Sequence, residues 1–177
     1  GCDCTATAGY AAATRIECAR GIVSPGLVNA HDHITYTGNS PVSASSERYD
    51  HRHEWRKGKN GKTKLTVPST SGADVVRWGE LRQVLAGTTS IIGSGGADGL
   101  ARNLDRDNEG LSSPAANYET FPLGDSSGQL IASGCAYPTL PGADVVSGGN
   151  SYLPHISEGV SREARNEFLC LSGAQSG

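Results

Sequence analysis

The residues of this chain best suited to chemistry are two histidines, His31 and His33, closing the run Ser24-Pro25-Gly26-Leu27-Val28-Asn29-Ala30-His31-Asp32-His33. Successive side chains on a strand alternate faces, so imidazoles at i and i+2 point the same way, with Cα atoms about 7 Å apart. Two such rings can converge on one metal ion, and zinc takes imidazole readily. His155-Ile156-Ser157-Glu158 offers a second pairing, a histidine at the end of an expected strand followed by a carboxylate. A third grouping, Tyr49-Asp50-His51-Arg52-His53-Glu54-Trp55-Arg56, concentrates imidazoles, guanidiniums, acids and aromatics in one short stretch. It reads in three ways: a substrate-contacting loop of His51, Arg52, His53 and Arg56 in which Arg52 or Arg56 grips a carboxylate, an ion-pair cluster on the surface, or a second metal site.

The elements that must position these groups follow from periodicity and punctuation. Pro25-Gly26 marks entry into a strand over Leu27 to Ala30. Residues 34–72 are polar, without a clear period, and long for a structureless connection. Asp74 to Ala86 reads as a helix with an apolar stripe at Val75, Val76, Leu81, Val84 and Leu85, stopped by Gly87. Thr88 to Ile92 is β-branched and reads as a buried strand. Its glycines at Gly93-Ser94-Gly95-Gly96 lack the Lys-Ser/Thr of a phosphate loop. Further strands are expected at Ala13 to Cys18, Ala101 to Leu104, Tyr118 to Leu123 and Tyr152 to His155. A helix is expected over Arg162 to Cys170, with Ser161 as its N-cap and Glu163 at the favourable end of its dipole. Strands alternating with helices indicate α/β architecture with parallel pairing.

Composition narrows the classes. The 177 residues are 36% hydrophobic and 19% charged, with net charge −3. That excludes a disordered chain, and no apolar run approaches a membrane span. Basic residues are scattered outside Arg56 to Lys64, which argues against nucleic acid as a partner. The chain contains no methionine, which reads as a processed or partial polypeptide. Its five cysteines suggest a disulfide from Cys18 to Cys2 or Cys4, with Cys135 and Cys170 as another pair. That usage favours an exported, extracellular or periplasmic setting.

The run from Pro25 to His33, with His155 and Glu158, resembles the first-strand and fifth-strand motifs of the amidohydrolase superfamily, in its deaminase and chlorohydrolase-like branch. The resemblance implies an incomplete (β/α)8 TIM-type barrel of about the first five strands. Residues 1–24 would be the end of a small N-terminal β-domain, and 25–177 the first part of the barrel. It implies His31, His33 and His155 as ligands of one divalent metal, preferably zinc, and Glu158 as the catalytic acid/base. Glu119 would bridge a second metal only if it faced inward. The family's sixth-strand histidine and eighth-strand aspartate are not located in this chain. The expected activity is hydrolysis of amide, cyclic amide or amidine-like C–N bonds of a small polar substrate. The alternative is a non-catalytic relative serving as an extracellular structural or assembly protein. The expected partners are the substrate, the remaining strands from further residues or another chain, and other copies of this chain.

Overall fold

The structure is a computed structural model, and it describes residues 4–43, 47–106, 114–141 and 151–174. The described residues form five strands: β1 (Leu27–Asn29), β2 (Thr88–Ile91), β3 (Arg102–Asn103), β4 (Asn117–Glu119) and β5 (Tyr152–Pro154). Three α-helices accompany them among the described residues: α1 (Arg52–Lys57), α2 (Ala73–Leu85) and α3 (Arg162–Leu171). β2 lies between β1 and β3 in one parallel sheet, while β4 and β5 pair in parallel as a second.

This arrangement corrects the expected fold. The described residues are a small mixed α/β assembly of two separate parallel sheets, and they do not form a TIM-type barrel or a segment of one curved sheet. A (β/α)8 barrel follows each strand with a covering helix. Here β2 passes to β3 through a glycine-rich connection with no helix. The strands are also short, down to two residues in β3. The requirement for further strands to close a barrel falls with the barrel itself. The expected strand at Ala13 to Cys18 does not form either. Residues 4–26 contain a 3-10 turn at Tyr10–Ala12 and otherwise irregular chain, with Ile16 and Ile22 largely exposed. A brief apolar patch with nothing to pack against has no reason to become a strand.

The remaining elements fall close to their expected positions, but α2 buries a different face. α2 buries Val76, Gly79 and Glu80, while Leu85, at the end of the expected stripe, is 75% exposed. Gly79 permits the approach: a Cβ there would lie 2.7 Å from Thr37 Oγ1. Glu80 is buried because its carboxylate accepts from Ala97 N (2.7 Å), Ala101 N (3.2 Å) and Asn103 Nδ2 (3.1 Å). It thereby holds the loop between β2 and β3. Ile34, Val76, Ile91 and Ala101 form the first apolar core. Ile91 is thus fully packed.

The second core gathers Leu123, Tyr137 and Cys170 beneath α3. α3 is docked by Asn166, whose amide donates to Ile131 O (2.9 Å) and Gly134 O (2.8 Å). That docking brings Cys170 to Cys135, and the two form a disulfide with Cα atoms 5.5 Å apart. The expected Cys18–Cys4 bond is not formed; Cys18 stands exposed in the irregular segment, and Cys2 lies outside the described residues. At the start of α3, Ser161 Oγ accepts from Ala164 N at 3.3 Å, as an N-cap should. A Ser161→Ala variant is expected to lose about 1 kcal/mol of stability, read as a lower urea midpoint with an unchanged slope.

Among the described residues, no helix is long and apolar enough to cross a membrane.

Candidate metal centre

His31 and His33 follow the C-terminal end of β1. The chain there is still tied to β2's extension, through Asp32 N to Ile92 O and Ile34 N to Gly93 O. This keeps the alternation beyond the formal strand end, and both rings face one side. Their Nε2 atoms are 3.1 Å apart. Two nitrogens each about 2.05 Å from a tetrahedral ion would be roughly 3.3 Å apart, so the observed spacing suits a shared ion. Asp32 fixes the turn: Oδ1 accepts from His33 N (2.7 Å), while Oδ2 accepts from Asn29 Nδ2 (2.9 Å) and Gln83 Nε2 (2.7 Å) of α2.

His155 arrives from the other sheet, at the end of β5. Its ring centroid lies 4.3 Å from that of His31 and 5.2 Å from that of His33. The donor nitrogens of all three lie within 4.8 Å of one another. His155 N donates to Glu119 O (2.9 Å), and Nδ1 faces the same carbonyl at 3.3 Å. With Nδ1 carrying the proton toward that carbonyl, Nε2 is the lone-pair atom. It is buried and, among the described residues, has no hydrogen-bond partner. A ligand histidine shows this pattern, one nitrogen anchored to a backbone carbonyl and the other left for the ion.

Burial lowers the pKa of His33 and of His155 below the ordinary 6.5, and neighbouring His31 lowers both further. The Glu158 carboxylate acts in the opposite direction on each. Both imidazoles are therefore held toward the neutral form that a metal requires. An open cleft of about 350 Å³ adjoins the cluster, with Ala30, His31, Ile92, Tyr118, Leu153 and His155 in its wall. Tyr152 also borders it. Burial, with the hydrogen bond donated to Glu119 Oε2 at 3.0 Å, pushes the Tyr152 phenol up to about 12. It is a neutral hydroxyl at any ordinary pH. Glu119 is engaged there and does not join the histidines.

The second histidine pair lies elsewhere. His51, Arg52 and His53 are buried in and beside α1, not on the surface and not in the cleft wall. Arg56 is partly exposed, and its guanidinium rests over the Phe121 ring at 4.2 Å. His51, His53 and Glu167 also stand close enough to hold a metal ion. Their nitrogens are already engaged, however. His51 Nδ1 accepts from His53 N (3.1 Å), which leaves Nε2 to donate to Glu167 Oε1 (2.9 Å). His53 Nδ1 accepts from Arg56 Nη1 (2.9 Å), which leaves Nε2 to donate to Asp125 Oδ2 (2.6 Å). The tautomers follow from the network, and none leaves a lone pair for an ion. His31, His33 and His155 are the better donor set.

This buried network backs the three-histidine cluster. Arg52 reaches His155 O, Thr120 O and Glu158 Oε2, and pairs with Asp125. Glu167 Oε2 accepts from Ser157 N at 2.8 Å. That contact holds Ser157 in a left-handed backbone conformation, φ 58°, uncommon for a non-glycine residue. Gly159 lets the turn press on α1's start, since a Cβ there would lie 2.9 Å from His51 Cα. Asp125 and Glu167 were not singled out in the sequence. For Glu167 a signal existed: it stands three residues from both Ala164 and Cys170, on the buried face of α3. For Asp125, in a Gly-Asp-Ser-Ser-Gly turn, there was none.

No protein-family model, no curated protein and no solved structure matches this chain.

Proposed function

We propose that this chain is a metal-dependent hydrolase of the amidohydrolase type, acting on C–N bonds of a small polar substrate with one divalent ion, zinc by preference. The observation that carries the reading is the convergence of His31, His33 and His155 from two different sheets on one point, with His155 Nε2 buried and without a hydrogen-bond partner among the described residues. Three imidazoles with an open face are the donor set of a catalytic zinc rather than a closed structural one. When bound, such an ion acidifies a water so that hydroxide is available at neutral pH.

The chain's own residues do the rest. The cleft beside His31 and His155 binds and orients the substrate, its aromatic and apolar walls at Tyr118 and Leu153 limiting water around the scissile bond. Glu158 takes a proton from the attacking water and returns it to the departing nitrogen. Its side chain is 35% exposed, with Oε2 tied to Arg52 at 3.0 Å. Among the described residues its Oε1 has no hydrogen bond, which leaves that oxygen for proton transfer. The Cys135–Cys170 disulfide is consistent with an oxidising compartment, and we place the protein outside the cytosol.

Metal analysis of the purified protein, joined to turnover of a panel of small linear and cyclic amides, tests this. The expected result is one zinc per chain and amide hydrolysis that a chelator abolishes and zinc restores. A protein that takes up no zinc overturns the reading. Stoichiometric zinc without turnover of any amide would favour the non-catalytic relative.

A further inference from the structure

We propose that Arg52 is a positioning residue of this site: its guanidinium fixes where the His155 ring and the Glu158 carboxylate stand relative to each other. The inference rests on the metal-site reading above and assigns a role to a residue that touches neither metal nor substrate. Arg52 is 2% exposed. Its Nη1 donates to three oxygens, His155 O (2.6 Å), Thr120 O (2.9 Å) and Glu158 Oε2 (3.0 Å). Its Nη2 donates to Asp125 Oδ2 at 2.7 Å, and its own backbone N donates to Glu158 O at 2.9 Å. Side chain and main chain of one residue therefore grip both ends of the turn from His155 to Glu158. The guanidinium plane is steadied by the Phe121 ring, 4.9 Å below its carbon.

Stability alone does not account for this arrangement. A buried ion pair is often no better than apolar side chains of similar volume, and Arg52 Nε is buried without a partner among the described residues. What Arg52 supplies that an apolar side chain cannot is a planar fork with several donors in fixed directions. Through Glu158 Oε2 it sets the carboxylate's rotamer. Through the His155 and Thr120 carbonyls it sets the end of β5 against the segment after β4, and so the direction of His155 Nε2. A lysine would supply the charge opposite Asp125 but only a single ammonium, unable to span all these acceptors.

The test separates positioning from folding. An Arg52→Met/Asp125→Asn double variant removes both buried charges together, and Arg52→Lys keeps the charge but not the fork. Zinc affinity is read by competition with a chromogenic chelator, geometry by the visible spectrum of the cobalt-loaded protein, and folding by thermal unfolding. Both variants are expected to unfold cooperatively while binding zinc about 10- to 100-fold more weakly, the range for groups that orient a ligand, with an altered cobalt spectrum. Parental zinc affinity and a parental cobalt spectrum in the double variant overturn the proposal. Should the double variant not fold, the same result in Arg52→Lys overturns it. His155→Ala in the parent background is the control. If that change leaves zinc binding untouched, the metal-site reading fails and Arg52's role with it. If zinc binding depends on His155 but not on Arg52, the positioning role alone fails.

Discussion

Replacing His155 with alanine is expected to weaken zinc binding by more than about 100-fold, beyond the roughly 10- to 100-fold that loss of an orienting partner costs. The reason lies in how the three donors are supplied. His31 and His33 sit two residues apart after β1, and their Nε2 atoms already face each other at 3.1 Å. Alone they offer a two-nitrogen site on the surface of one loop. His155 closes it from the second sheet, anchored through Glu119 O, with its free nitrogen shielded from water. Removing that ring deletes a donor and also opens the protected side of the site. His155→Gln, which keeps a polar atom but not the imidazole geometry, should recover little. Titration against a chelator of known affinity measures both variants.

The second large effect is on stability. Asp125 accepts from Arg52 and from His53 in a site closed to water. Burial works against its ionised form, but the His53 hydrogen bond and the Arg52 guanidinium outweigh it and hold the carboxyl at about 2, below its ordinary 3.8. Asp125→Ala strands a buried guanidinium, a change that costs about 3–5 kcal/mol. That is roughly a 10 °C fall in melting temperature for a chain of this size. The pH dependence has a definite sign. Because the folded-state value lies below the unfolded one, the contribution is fully present above pH 3.8 and is lost as pH falls from there toward 2. Its share is about 2 kcal/mol. The gap in stability between parent and variant should therefore be constant near neutrality and narrow by about that amount on acidification. Chemical denaturation at pH 7, 4 and 2.5 measures it.

What the sequence revealed and what it hid divide along physical lines. The position of α2, the run at Thr88 and the Ser161 cap were legible because each depends on local pattern and punctuation. The two-residue spacing of His31 and His33 was legible because alternation is a local property, and here it persists past the end of β1. The architecture was not. Pairing β1 with β2 and β3, and β4 separately with β5, is decided by which loops carry helices and how short the strands are, and motif resemblance overstated both. The role of the 49–56 segment was hidden for a different reason. Its charges look solvated in sequence, yet Arg52 and His53 are buried because Asp125 and Glu158, far along the chain, meet them. Likewise the burial of Glu80 depends on donors further along the chain, two from the loop between β2 and β3 and one from Asn103 in β3.

His31, His33 and His155 are proposed to hold one ion together, and X-ray absorption at the zinc edge of the metal-loaded protein reads that shell. Three imidazole nitrogens are expected at about 2.0–2.1 Å with the remaining coordination from oxygen, falling to two in His155→Ala at saturating zinc. A shell with fewer than three imidazoles in the parent, a sulfur scatterer, or an imidazole count unchanged by loss of His155 would contradict it.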